Sequence, residues 1–198
     1  MPQSLKSPKN KLYRIVLIGD VGVGKTSLLL TYLNENFPVD YIPSINDTFI
    51  EKQSFHNKLY EIEVVDTLGK INLDFDKWVE KYSNADLYFL CFSVIDPVSL
   101  DNIHKWIEEI DSREYDPKYL LIGLKIDLRT NDSIINSLRQ QNLQTVTSEQ
   151  AYEKAKEINA VDYLECSALN GIGIQSIFNV GFDQIIQPEQ EGNCCFIF

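Results

Sequence analysis

The chain of 198 residues is short of several things, and each shortage removes a class of protein. Cysteine is scarce: Cys91, Cys166, Cys194 and Cys195 lack the spacing of a zinc site or of a secreted disulfide framework. The first two lie inside apolar segments, as buried thiols commonly do. No run reaches 18 apolar residues, so no membrane-spanning helix is predicted. The first ten residues are polar and lack a secretory signal core, which makes the cytoplasm the default compartment. Basic side chains number 18 against 29 acidic ones, for a net charge of −11. That balance disfavours broad attraction to nucleic acid or anionic lipid, and no nucleic-acid motif is present; a local site can still hold a phosphate. Apolar residues, in contrast, make up 44% of the chain, with 10 Phe and 10 Tyr, which argues against wholesale disorder. The length fits one domain that buries roughly 70% of its unfolded surface and needs no metal or disulfide staple.

Apolar runs and helical periodicities alternate along the chain. Strands are predicted at 13–18, 49–55, 59–65, 86–94, 119–124 and 163–166, the second and third forming a hairpin. Helices are predicted at 26–33, 100–110, 148–158 and 172–186. In the second of these Ile103, Trp106, Ile107 and Ile110 share a face; in the third Thr147 and Gln150 form a capping box. Such alternation predicts an α/β fold, a mostly parallel sheet covered on both faces. Residues 131–144 break the rhythm. Ile134, Ile135 and Leu138 there predict a short surface helix, in what is otherwise an ordinary insertion.

The strongest chemical signal is Gly19-Asp20-Val21-Gly22-Val23-Gly24-Lys25-Thr26, a GxxxxGK[ST] run between a strand and a helix, followed by Ser27. Glycines let the backbone turn tightly around an anion. Amides of the loop and helix start face the phosphates. Lys25 adds a point charge, and the Thr26 hydroxyl can ligate Mg²⁺. Asp66, at the end of an apolar strand and ahead of Thr67-Leu68-Gly69, can hold the same ion through water.

Together these segments resemble the Ras superfamily of small GTPases and, within it, the Rho/Rac branch, over nearly the whole chain from Lys11. Four more segments carry the likeness. Phe37-Pro38-Val39-Asp40-Tyr41-Ile42-Pro43-Ser44 resembles a first switch. Leu124-Lys125-Ile126-Asp127 resembles the guanine-recognition motif, and Glu165-Cys166-Ser167-Ala168-Leu169 the second base-binding loop. Residues 131–144 fall where Rho proteins carry an insert helix. The resemblance implies a P-loop G-domain over 11–187 with a six-stranded sheet, a polar extension at 1–10 and an acidic tail at 188–198. It implies GTP or GDP bound with Mg²⁺. Phe37 would pack on the base, Tyr41 would close over the phosphates, and Ser44 and Thr26 would ligate the metal. Gly69 would approach the terminal phosphate. Lys125 would lie along base and ribose, with Leu128 nearby. Asp127 would accept from the guanine N1–H and exocyclic amine. Backbone at Ser167-Ala168, beside Leu169, would read the guanine oxygen. Effectors, an exchange factor and a dissociation inhibitor are the implied partners of a monomeric switch.

The departures cluster. Lys70 stands where the family has its water-orienting glutamine, and lysine cannot both donate and accept. Val21 replaces a glycine near the terminal phosphate, and Leu68 replaces an alanine. Weak hydrolysis is therefore expected; a normally cycling GTPase and a nucleotide-free pseudo-GTPase module are the alternatives. Leu124 replaces asparagine or threonine and can neither donate nor accept. Asn46 replaces a phenylalanine in the effector segment, and Trp78 in the second switch is either a contact or core. The carboxyl end, Cys195-Phe196-Ile197-Phe198, fits CaaX with a terminal Phe that favours geranylgeranylation of Cys195. One lipid usually needs a second signal. The preceding stretch is acidic, so palmitoylation of Cys194 is the candidate, against an unmodified thiol. These expectations put the chain on the cytoplasmic face of the plasma membrane or endomembranes, with a cytosolic pool.

Overall fold

The computed structural model describes residues 11–37, 48–55, 58–70, 79 and 82–186. Six strands form one sheet: β1 (Leu12–Ile18), β2 (Thr48–Phe55), β3 (Lys58–Asp66), β4 (Leu87–Ser93), β5 (Tyr119–Leu124) and β6 (Tyr163–Glu165). Their spatial order is β2-β3-β1-β4-β5-β6. β2 runs antiparallel to β3, and every other neighbouring pair is parallel. The predicted α/β fold with a mostly parallel six-stranded sheet is the observed one. The chain passes from β1 to β3 on one side and then to β4 on the other. The carboxyl end of β1 is thus a topological switch point, where open α/β sheets bind their ligands.

β1 explains why both faces must be covered. Ile15 and Leu17 join one core cluster, Val16 and Ile18 the other, and all four are fully buried. Helices α1 (Lys25–Asn34) and α6 (Ile174–Ile185) cover the first face. Tyr32 of α1 stacks on Phe178 of α6, ring centroids 3.7 Å apart. Helices α2 (Pro97–Asp101), α3 (Ile103–Asp111) and α5 (Ser148–Glu157) cover the second. β4 and β5 are buried along their whole length, which is why their sequences read as unbroken apolar runs.

The predicted helix at 100–110 is two helices. Asp96 caps α2 through the Ser99 amide, and Asn102 separates α2 from α3. Ile103, Trp106 and Ile110 do share the buried face, while Ile107 is partly buried. The surface helix expected in 131–144 is α4 (Asp132–Gln140), capped by Asn131, whose side chain accepts from the Ser133 and Ile134 amides. The capping box at Thr147 and Gln150 is formed in full. Cys91 and Cys166 are buried free thiols. No helix among the described residues is long and apolar enough to cross a membrane.

Candidate functional site

β1 delivers the chain into the loop of residues 19–24 at the switch point. Gly19 has φ 145°, and a Cβ there would stand 2.1 Å from the Cys91 carbonyl oxygen, so only glycine fits against β4. The loop then enters α1 through Gly24, with no side-chain cap. α4 and α5 close their first amides with Asn131 and Thr147, whereas those of α1 stay open for an anion. Lys25 is 5% exposed, and its Nζ donates to the Gly19 carbonyl at 2.8 Å and the Asp20 carbonyl at 2.9 Å. The ammonium is thus parked over the loop. Burial lowers its pKa, while Cys91, Asp66 and Asp20 act in the opposite direction. Val23 contributes only backbone to the loop, because its side chain is buried in the core beside α1.

The hydroxyl of Thr26 donates to Oδ2 of Asp66, joining the start of α1 to the end of β3. Both are hard oxygen donors of the kind Mg²⁺ selects. Among the described residues no cluster of His, Cys, Asp and Glu is large enough to hold a metal alone. A hydroxyl and a carboxylate that leave the remaining positions to phosphate and water fit Mg²⁺, and they are the residues that would hold it. Thr67 Oγ1 donates to the Leu17 carbonyl at 2.7 Å and anchors the chain as it leaves β3. Gly69, φ 71°, then touches the phosphate loop. A Cβ there would lie 2.5 Å from the Gly19 oxygen and 2.7 Å from the Val21 nitrogen. The contact brings Val21, which is 69% exposed, into the neighbourhood of Lys70, which is also exposed.

Beside the loop lies a cavity of about 260 Å³ with a mostly apolar wall. Its lining collects residues that are far apart in sequence: Gly24 and Ser27, Phe37, then Leu124, Lys125, Asp127 and Leu128, then Ala168 and Leu169. Every one except Leu124 is a predicted nucleotide contact. Leu124 replaces a polar residue with an apolar wall and is 2% exposed. Lys125 takes a left-handed φ of 64° and reaches back so that Nζ donates to the Gly22 carbonyl at 2.6 Å. Burial lowers its pKa, with Asp96 and Asp127 opposing.

Ser167 does more than the sequence reading assigned to it. Its hydroxyl donates to Oδ1 of Asp127 at 2.6 Å and fixes the carboxylate. Its own amide donates to the Ile172 carbonyl at 3.0 Å, which leaves Ala168 as the candidate for the expected backbone contact. Tyr41, Ser44 and the lipidation candidates Cys194 and Cys195 lie outside the described residues, as do Asn46 and Trp78.

Two further groups escape a motif search. Asn102 and Trp106 bond the Asp20 carboxylate. Arg129 grips Glu165 with both terminal nitrogens, at 2.9 and 2.5 Å, and donates through Nε to the Val146 carbonyl. Tyr163 also donates to Glu165. This cluster ties the segment after Asp127 to the strand before Ser167. Burial works against the Glu165 charge, but the Arg129 and Tyr163 hydrogen bonds prevail and its pKa is lowered. A depressed carboxylate stabilises the fold above its unfolded pKa, about 4.3, and loses that contribution as pH falls through the folded value. Glu165→Gln is therefore expected to lower stability by about 1–3 kcal/mol at pH 7, and the gap to the parent protein should close below about pH 4. Urea midpoints across pH measure this.

A phosphate loop at a sheet switch point, beside an apolar cavity bearing a fixed carboxylate, defines a P-loop nucleotide-binding domain. A family model described as the Ras family matches residues 14–187. The chain belongs to that family and is a small GTP-binding switch protein. Such proteins generally bind GTP or GDP with Mg²⁺ and interact with effectors and regulators.

Proposed function

We propose that this chain is a Rho/Rac-like switch that holds GTP with Mg²⁺, hydrolyses it slowly and recruits effectors at a membrane. The observation that carries the slow-hydrolysis reading is the contact of Gly69 with the backbone of Gly19, Asp20 and Val21. It brings together the two departures that matter. Val21 adds a β-branched side chain beside the terminal phosphate, and Lys70 supplies an ammonium where water needs an acceptor. Neither residue can orient the attacking water, so the transition state loses its positioning. Thr26 and Asp66 are the described residues that would hold Mg²⁺. When bound, the metal neutralises phosphate charge, and Lys25 and the amides at the start of α1 do the rest of the phosphate binding.

Helix α4, in the place of the Rho insert, supports the Rho/Rac assignment. The membrane part of the reading rests on the Cys195-Phe196-Ile197-Phe198 motif, with Cys194 as the second acceptor. Single-turnover phosphate release, with Mg²⁺ present, tests hydrolysis. The variant Val21→Gly/Leu68→Ala/Lys70→Gln is expected to release phosphate about a hundredfold faster than the parent chain, or more. Equal rates would remove these residues as the cause of slow turnover.

A further inference from the structure

A carboxylate is out of place in a loop built to hold a triphosphate, because it repels the ligand unless its charge is engaged. Asp20 is such a carboxylate. Both its oxygens are occupied: Oδ1 accepts from the Trp106 indole at 2.9 Å and Oδ2 from the Asn102 side-chain amide at 2.7 Å. Trp106 is 1% exposed, so the indole has no water to turn to. The Asn102 amide is itself oriented, since its Oδ1 accepts from Lys105 Nζ at 2.7 Å. The donors sit at the α2–α3 junction and one turn into α3, on elements that line no part of the base cavity.

Asp20 matters to the ligand in three ways. Its carbonyl receives Lys25 Nζ, its carbonyl carbon would lie 2.7 Å from a Cβ at Gly69, and Val21 follows it. A turn of the Asp20 side chain toward the phosphates would place a repelling charge in this loop.

We propose that Asn102 and Trp106 are positioning residues for nucleotide binding: they hold the Asp20 carboxylate away from the phosphates, and they favour the triphosphate over the diphosphate. Repulsion from a released carboxylate grows with ligand charge, so the penalty on removing a donor falls hardest on GTP. The inference rests on guanine-nucleotide binding and is independent of slow hydrolysis.

The test is calorimetric titration of nucleotide-stripped, Mg²⁺-replete full-length protein with GDP and with a non-hydrolysable GTP analogue. Trp106→Phe and Asn102→Ala are each expected to weaken the analogue by about tenfold and GDP by about threefold, with a larger gap at low salt. Asn102 is only partly buried, so Asn102→Ala carries the test should Trp106→Phe unfold. Each is repeated in an Asp20→Ala background, where the donors have no carboxylate to hold. There the additional loss should vanish, as a double-mutant cycle requires. Equal weakening of the two nucleotides, or a loss that persists in the Asp20→Ala background, overturns the proposal. Thermal midpoints of the same variants separate a positioning effect from unfolding. Failure of the parent chain to bind either nucleotide would instead overturn nucleotide binding itself.

Discussion

Exchanging Asp127 for asparagine is expected to cut affinity for GDP about a hundredfold to a thousandfold and to turn preference toward xanthine nucleotides. The carboxylate lines the base cavity, and the Ser167 hydroxyl holds one of its oxygens at 2.6 Å. A fixed carboxylate accepts from two adjacent donors, the N1–H and exocyclic amine of guanine. Hydrogen bonds to a charged acceptor contribute about 1.5–3 kcal/mol each, and asparagine keeps one neutral acceptor, so the loss falls at the lower end for two bonds, about 3–4 kcal/mol, which is that range. Asparagine would set an amide donor against the exocyclic amine, donor against donor. Xanthine carries a carbonyl at that position, and the same amide donor then has a partner. Calorimetry with GDP and XDP on the parent chain and on Asp127→Asn reads both effects. An unaltered GDP affinity would take Asp127 out of base recognition.

Lys25→Ala should be more damaging to phosphate binding than any other single change in the loop, with a loss of about 10²–10⁴-fold for GTP. The ammonium is buried at the loop, where water screens it little, and it would bring charge-assisted hydrogen bonds to the outer phosphates. It also bonds the Gly19 and Asp20 carbonyls, so alanine leaves two acceptors without their donor. Each orphaned group costs about 1–3 kcal/mol where water cannot reach it. The variant should thus melt lower even without nucleotide, and its thermal midpoint separates loop collapse from lost ligand contact. GTP affinity within threefold of the parent would refute the assigned role.

The sheet and the phosphate loop were legible because local patterns determine them. β4 and β5 read as apolar runs, and a loop between strand and helix needs glycine and lysine at fixed spacing. The residues that line the cavity were, apart from Leu124, legible one by one through their motifs, and the structure brings Phe37, Lys125, Asp127 and Ala168 together around it. Four things were not legible. The boundary at Asn102 hides inside a helical periodicity that continues across it, since Ile103, Trp106 and Ile110 keep their face through the junction. The partners of Asp20 lie 82 and 86 residues away, and no local rule links them. A buried indole needs a partner for its N–H, so Trp106 carried a signal, although not the address of its acceptor. Ser167 fits a motif that predicts a backbone role, while its amide is consumed by the bridge to Ile172. Arg129 and Glu165 are each ordinary in sequence, and only the fold sets their side chains face to face.

Helix α1 has a different neighbour at each end. Its first turn carries Lys25 and Thr26 at the phosphate loop, and its later turns lay Tyr32 flat on Phe178 of α6. Whatever steadies the first turn is therefore transmitted to the last helix of the fold. By mass action, nucleotide at a thousandfold excess over its dissociation constant adds about 4 kcal/mol to the folded state. The ligand then works as a strut as well as a signal. Chain emptied of nucleotide should surrender its carboxyl-terminal helix to proteases early, so occupancy governs the lifetime of this switch as well as its state.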